Sequence, residues 1–282
     1  MNQQATSSER RASVNRCSPP IELYIFIDPL CSDCLSLQPL LRRLQVDYEQ
    51  YFSLRIVLRT SIRTLNKEAQ NISCKNPYCE ERHLSFPSLA IKAAEFQGKR
   101  AGFRFLSKLL LYASLQTRDI TSFDVLVDIA HELQLDVDEF KRDFSSPHVL
   151  RALQIDLYLA REMDVETAPT FVFFNENIED EGLKVSGVYS YDIYEQILTE
   201  LTDEKVIPSI PPSLEDLLIR FDALTTEEIA SIYRIPLKTA ERELKKKLLQ
   251  QHVERTTFNQ TTLWSKKTNI CPTKKRLGQN SL

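Results

Sequence analysis

One stretch narrows the possible folds more than any other: Ile21-Glu22-Leu23-Tyr24-Ile25-Phe26-Ile27-Asp28-Pro29-Leu30-Cys31-Ser32-Asp33-Cys34. The run Leu23 to Ile27 is apolar, β-branched and aromatic, which predicts a strand covered on both faces. It leads into a Cys-x-x-Cys turn that opens a helix, the spacing of a dithiol redox motif. A helix N-terminus, with its unpaired N–H groups and dipole, favours a thiolate on the first cysteine. Asp28 and Asp33 work against that by placing like charge beside the thiols. Cys31 is the candidate nucleophile and Cys34 the candidate resolving thiol.

Farther on, Thr167-Ala168-Pro169-Thr170-Phe171-Val172-Phe173-Phe174 sets a proline immediately before a second buried strand. Pro39 falls five residues after Cys34. Together and in this order these features resemble thioredoxin-like proteins. The resemblance implies a cis Ala168–Pro169 bond lying against the cysteine turn, with Pro169 aligning an extended substrate, and a helix kinked at Pro39. The pair Ser32-Asp33 lacks the histidine or proline found between the cysteines of strong oxidants and reductants of that family.

Leu37, Leu41, Leu44 and Tyr48 make one apolar face of a helix after the cysteines. Tyr51 to Ser61 alternates and predicts the second strand of a β-α-β unit. Asn66 to His83 is polar, with Asn76-Pro77 as a turn signal, and predicts a loop. From Pro87 to Asp164 the periodicity is helical. Ala90, Ala93, Ala94 and Phe96 begin it, and Phe103, Leu106, Leu109 and Leu110 continue it. Thr121 and Ser122 are candidate caps for a helix carrying Leu126, Ile129, Ala130 and Leu133. Pro147 suits the first turn of a helix that faces inward with Leu150, Leu153, Leu157 and Ala160. Gly182 to Gly187 predicts the last strand and Tyr191 to Leu201 a closing helix. A helical block between strands resembles the DsbA family. The expected fold class is α/β: a thioredoxin-like domain over 21–204 with a DsbA-type helical insertion at about 87–164, plus a small, mainly helical C-terminal module.

The C-terminal segment differs in charge. Residues 205–282 hold 14 Lys and Arg against 8 Asp and Glu, whereas residues 1–204 hold 22 against 31. Pro208, Pro211 and Pro212 mark a linker. Thr225-Thr226-Glu227-Glu228 reads as a capping box opening a short helix through Ile229 and Ile232. Pro236 begins another, with Leu237, Ala240, Leu244 and Leu248 on its inner face. These helices and the stretch Val253 to Trp264 resemble a helix-turn-helix or winged-helix module over 213–264. Lys245-Lys246-Lys247 reads as a solvated helix face. Residues 1–20 and the basic tail 265–282 are expected to be disordered.

Several classes are excluded. No apolar run approaches the ~20 residues of a membrane span, and the polar N-terminus is not a secretory signal. Cys17, Cys31, Cys34, Cys74, Cys79 and Cys271 are too scattered for a disulfide scaffold, so the expected location is cytoplasmic with reduced thiols. With five glycines and no Gly-rich loop after a strand, nucleotide-binding motifs find no support. Cys74, Cys79 and His83 supply three zinc ligands where a structural site needs four. His131, His148 and His252 stand alone as structural or surface residues. Neither metal nor cofactor is expected.

A narrower resemblance rests on Phe26-Ile27-Asp28-Pro29-Leu30-Cys31, Arg161-Glu162-Met163 ahead of Ala168-Pro169, and Glu181-Gly182-Leu183-Lys184-Val185. These segments resemble the YjbH, or SpxH, family of low-GC Gram-positive bacteria. The resemblance implies an adaptor that binds the transcription factor Spx and promotes its degradation by the ClpXP protease, with no nucleic-acid or membrane partner. Some members have a His/Cys-rich, zinc-binding N-terminus; residues 1–20 here contain Cys17 and no histidine. The alternatives are a cytoplasmic thiol–disulfide oxidoreductase using Cys31, Cys34 and Pro169 and, behind it, a DNA-binding regulator using the C-terminal module.

Overall fold

Strand β1 (Ile21–Ile27) lies inside a four-stranded sheet of order β2-β1-β3-β4, with β2 Phe52–Leu58, β3 Thr170–Phe174 and β4 Leu183–Ser186. It runs parallel to β2, from Ile21 opposite Phe52 to Ile27 opposite Leu58, and antiparallel to β3. β3 and β4 form an antiparallel pair. This computed structural model describes residues 21–59, 84–175, 177, 181–202, 204–258 and 261–267. The expectations for 1–20, for the 66–83 loop with Cys74, Cys79 and His83, and for the tail from 268 onward lie outside the described residues.

Both faces of β1 are used, as its unbroken apolar run requires. Ile21, Leu23, Ile25 and Ile27 join Phe171 and Phe173 in the main core, while Phe26 packs with Val57, Val172, Ala160 and Val165 on the other side. Each such side chain contributes roughly 1.5–3 kcal/mol through burial. The helix after the cysteines is not continuous. It forms α1 (Ser32–Leu35) and α2 (Gln38–Tyr48), separated at Ser36 and Leu37, with Pro39 in the first turn of α2. The kink expected at Pro39 is thus a break, because proline starts a helix more readily than it continues one. Leu37, Leu41, Leu44 and Tyr48 are all buried.

Among the described residues, five helices lie between β2 and β3: α3 (Phe86–Phe96), α4 (Lys99–Ser114), α5 (Phe123–Glu132), α6 (Val137–Phe144) and α7 (Pro147–Glu162). α3 and α4 approach closely at Gly102, where an added Cβ would lie 2.9 Å from the Cβ of Glu95. Ser146 caps α7, its Oγ accepting from the Val149 N–H, and Pro147 occupies the first turn. Ser122 holds the cap position of α5 without a side-chain bond, and Thr121 donates instead to Asp119. Of the side chains read as inward-facing, four are not fully buried, Leu157 being half-buried. Phe96 and Leu150 are exposed, and Phe105 rather than Phe103 reaches the core. On α7 the buried set is Val149, Leu153, Asp156 and Ala160. A charged residue, Asp156, holds one inward position, so a purely apolar reading placed the face wrongly.

Asp156 is buried because it has partners. Its Oδ2 accepts from the Lys92 ammonium of α3 at 2.7 Å and from the Leu58 N–H of β2 at 2.8 Å. Lys92 also reaches Glu95 at 2.8 Å. Arg59 adds a second tie by donating from Nε to the Val165 carbonyl at 2.9 Å. Burial opposes the Lys92 charge, but the Asp156 and Glu95 carboxylates outweigh it and raise its pKa above the ordinary lysine value.

The first compact unit ends at Ser209; the second begins at Ile210 and also takes in Leu115–Arg118. The stretch after α8 (Tyr191–Thr202) is held by the first unit: Val206 is buried, and Ser209 N–H donates to the Asp47 carbonyl at 2.7 Å. In the second unit the order is α9 (Leu214–Phe221), β5 (Ala223–Thr225), α10 (Thr226–Tyr233), α11 (Leu237–Leu249), β6 (Val253–Phe258) and β7 (Thr261–Lys266). The strands form an antiparallel sheet, β5-β7-β6. The capping box closes as expected: Thr225 Oγ1 accepts from Glu228 N–H, and Glu228 accepts from Thr225 N–H. Ala240 and Leu244 are buried on α11, whereas Leu237 is exposed. Lys247 pairs with Glu215 at 2.8 Å. β7 continues through Ser265 and Lys266, so regular structure extends past the expected start of the tail.

Replacing Lys92 with Met leaves two carboxylates facing each other without their cation, and the expected loss is about 3–5 kcal/mol in urea unfolding at pH 7. A raised lysine pKa means that the folded chain holds this proton more tightly than the unfolded one. The contribution is therefore complete between the Asp156 titration, which burial raises above the ordinary carboxylate value, and about pH 10, and it is withdrawn as pH rises through the folded lysine value. The alkaline loss of stability should accordingly be smaller in Lys92→Met than in the wild type.

Candidate functional site

The cysteine turn is built by Asp28. Its side chain accepts from Leu30 N–H at 2.9 Å, and its carbonyl accepts from Cys31 N–H at 3.0 Å. The carboxylate read from sequence as a charge beside the thiols is thus also the scaffold of the turn, as expected of aspartate, whose side chain reaches a backbone N–H two residues on. Asp33 lies exposed in the first turn of α1.

Cys31 and Cys34 are free thiols in unlike settings. Cys34 is fully buried, and this burial pushes its thiol well above the ordinary range. Cys31 is half-buried, and its thiol donates to the Ala168 carbonyl at 3.2 Å. The Ala168–Pro169 bond is cis, and Pro169 is buried beside the turn. The turn carrying Cys31 and Cys34 and the distant Ala168–Pro169 segment therefore come together. α1 is only four residues long, so few peptide units line up behind Cys31 to form the dipole invoked from sequence.

Sequence reasoning missed the support under Pro169. Gly187 N–H donates to the Pro169 carbonyl at 2.8 Å, with Gly187 at φ +97. Thr170 is buried and donates from Oγ1 to the Thr167 carbonyl at 2.8 Å. Val188 and Tyr189, directly after Gly187, are exposed. The glycine at the strand end was the available signal, since a positive φ favours glycine. Among the described residues no group of three or more His, Cys, Asp or Glu is placed to hold a metal, and no helix is long and apolar enough to cross a membrane.

The thioredoxin family model matches residues 24–196. Relatives match over most of their length. The chain is 42% identical over 264 residues to the ClpXP adapter protein SpxH of Shouchella clausii, covering 87% of this chain and 88% of that protein. It is 38% identical over 265 residues to the ClpXP adapter protein SpxH of Bacillus subtilis, covering 87% and 89%. Among solved structures, the thiol-disulfide exchange protein alpha-DsbA2 of Wolbachia pipientis is 14% identical, covering 66% of this chain and 84% of that one, with a TM-score of 0.46.

The two thiols should separate on alkylation. With iodoacetamide under native conditions and peptide mass spectrometry, Cys31 should be modified, while Cys34 reacts at least about tenfold more slowly until the chain is unfolded. Equal native rates would show that Cys34 is reached by solvent.

Proposed function

The chain belongs to the SpxH family of ClpXP adapter proteins and carries its thioredoxin domain, and from that premise we propose that it is itself an adaptor, binding an Spx-type transcription factor and promoting its degradation by the ClpXP protease. The observation that carries this reading is the reach of the match, which takes in 87% of the chain and so extends beyond the thioredoxin domain. The setting of the thiols agrees with it. Neither raising the local concentration of a substrate at a protease nor presenting its terminus requires a nucleophile. As part of the same reading the protein works in the cytoplasm, without metal or cofactor. The second unit's order of helix, strand, two helices and hairpin supports reading residues 213–264 as a winged-helix-like module.

A thiol–disulfide oxidoreductase is the second reading, favoured by the approach of Cys31 to the residue before cis Pro169. In it Cys31 attacks a substrate disulfide, Cys34 resolves the mixed disulfide, and Pro169 aligns the substrate. Insulin reduction that disappears in Cys31→Ser would favour it.

The deciding measurement is the half-life of purified Spx with ClpXP, with and without this protein. The half-life should shorten when the wild type is added, and Cys31→Ser and Cys34→Ser should act like it. No change with the wild type removes the adaptor reading. If it is active while both serine variants are dead, the substrate is engaged through thiol chemistry.

A further inference from the structure

The outer face of α7 carries side chains that a solvated helix does not need. Leu150, Ile155 and Tyr158 are exposed by 53%, 60% and 63%. At about 100° per residue, Tyr158 and Arg151 sit at the centre of this face, with Leu150 on one flank and Ile155 on the other. The opposite face is already committed through Val149, Leu153, Asp156 and Ala160. α7 is thus anchored on one side and apolar at intervals on the other.

The charges on that outer face are specific. Arg151 and Arg161 are exposed, and neither guanidinium enters an ion pair or hydrogen bond among the described residues. They stand about 15 Å apart along the helix, on either side of Tyr158. Exposed His148 lies at the N-terminal end and the face's carboxylate, Glu162, at the C-terminal end. Two unpaired guanidinium groups beside exposed apolar side chains depart from the balance of residues 1–204 as a whole, where Asp and Glu exceed Lys and Arg by 31 to 22.

We propose that this face of α7 is where the delivered substrate docks, and that the docking element is an amphipathic helix whose apolar ridge is flanked by carboxylates. The proposal rests on the adaptor reading and names its substrate-binding surface. Ile155 and Tyr158, three residues apart, exclude water from the part of the contact between Arg151 and Arg161, with Leu150 at its N-terminal edge, and Tyr and Arg are the residue types that carry most binding energy in such patches. The arginines fix register by meeting carboxylates near the ends of roughly three turns of partner helix. Nucleic acid fits less well, since its backbone offers nothing for Leu150 and Ile155 to cover.

The test uses the full chain and purified Spx in two assays, calorimetric binding and ClpXP degradation. Ile155→Ala/Tyr158→Ala and Arg151→Glu/Arg161→Glu replace exposed groups, so their thermal unfolding should match the wild type. Each pair should weaken binding by roughly tenfold or more. Raising salt from about 0.05 to about 0.5 M should weaken the wild type and not the charge-reversed protein. Degradation should slow in step with binding. If the wild type speeds degradation and both variants do so equally, the adaptor reading stands and this surface is overturned. A wild type without effect on Spx removes the reading and this occupant with it. A wild-type dimer in sedimentation that the same substitutions dissociate assigns the face to a second copy of the chain and overturns the proposal.

Discussion

Asp156 holds the first unit together in a way no apolar contact could. One carboxylate on α7 accepts from an ammonium on α3 and from a backbone N–H at the end of β2. Apolar packing is tolerant of sliding, because one methyl contact replaces another at small cost. A buried ion pair is not: its charges are stabilised only while the geometry holds, and a displaced partner leaves an uncompensated charge. The helical insertion is therefore keyed to one register on the sheet. Arg59, one residue past β2, adds a hydrogen bond to the Val165 carbonyl, on the segment that leads to Pro169.

Two consequences follow for the surface. The segment from α7 to β3 is fixed at both ends, which places Ala168 where the Cys31 thiol meets its carbonyl. Fixing the inner face of α7 also fixes which residues look outward. With Asp156 inward, Leu150, Ile155 and Tyr158 have no route to the core and remain in water. An exposed apolar triad is a cost for solubility and a resource for binding.

Much of this architecture was legible in the residues. The β1 run, the Cys-x-x-Cys turn and Pro169 before β3 located the sheet and its site, and the Thr225–Glu228 box located α10, because each encodes a local backbone requirement. What could not be read depends on tertiary partners. Lys92 and Asp156 look like surface residues on amphipathic helices, and only the fold reveals that they meet. For the same reason Leu150 was placed inward, since an apolar residue at helical spacing usually is. The split of α1 from α2 was half visible in Pro39. The Gln38 side chain donating to the Ser107 carbonyl of α4 at the start of α2 was not visible at all. Asp28 carries two readings at once, a charge in the sequence and a turn scaffold in the structure, and only the second is geometric.

The same distinction bears on why a dithiol site can be kept in a protein proposed to act without it. A catalytic pair needs an attacking thiol that is free to form a thiolate and a resolving thiol that can follow. Here the resolving position is the one withdrawn, since Cys34 lies in the core with Leu37 and Ile27, while the partly exposed Cys31 donates to the Ala168 carbonyl. Those contacts are packing and hydrogen bonding, the work such a turn does when it joins β1 to the segment before β3. A serine at Cys31 can make the same donation, and a serine at Cys34 brings a hydroxyl into an apolar setting, where an unpaired polar group costs about 1–3 kcal/mol. Structure thus makes Cys34, the less reactive thiol, the harder one to replace, and a loss of function at Cys34 alone would report on folding before it reported on redox chemistry.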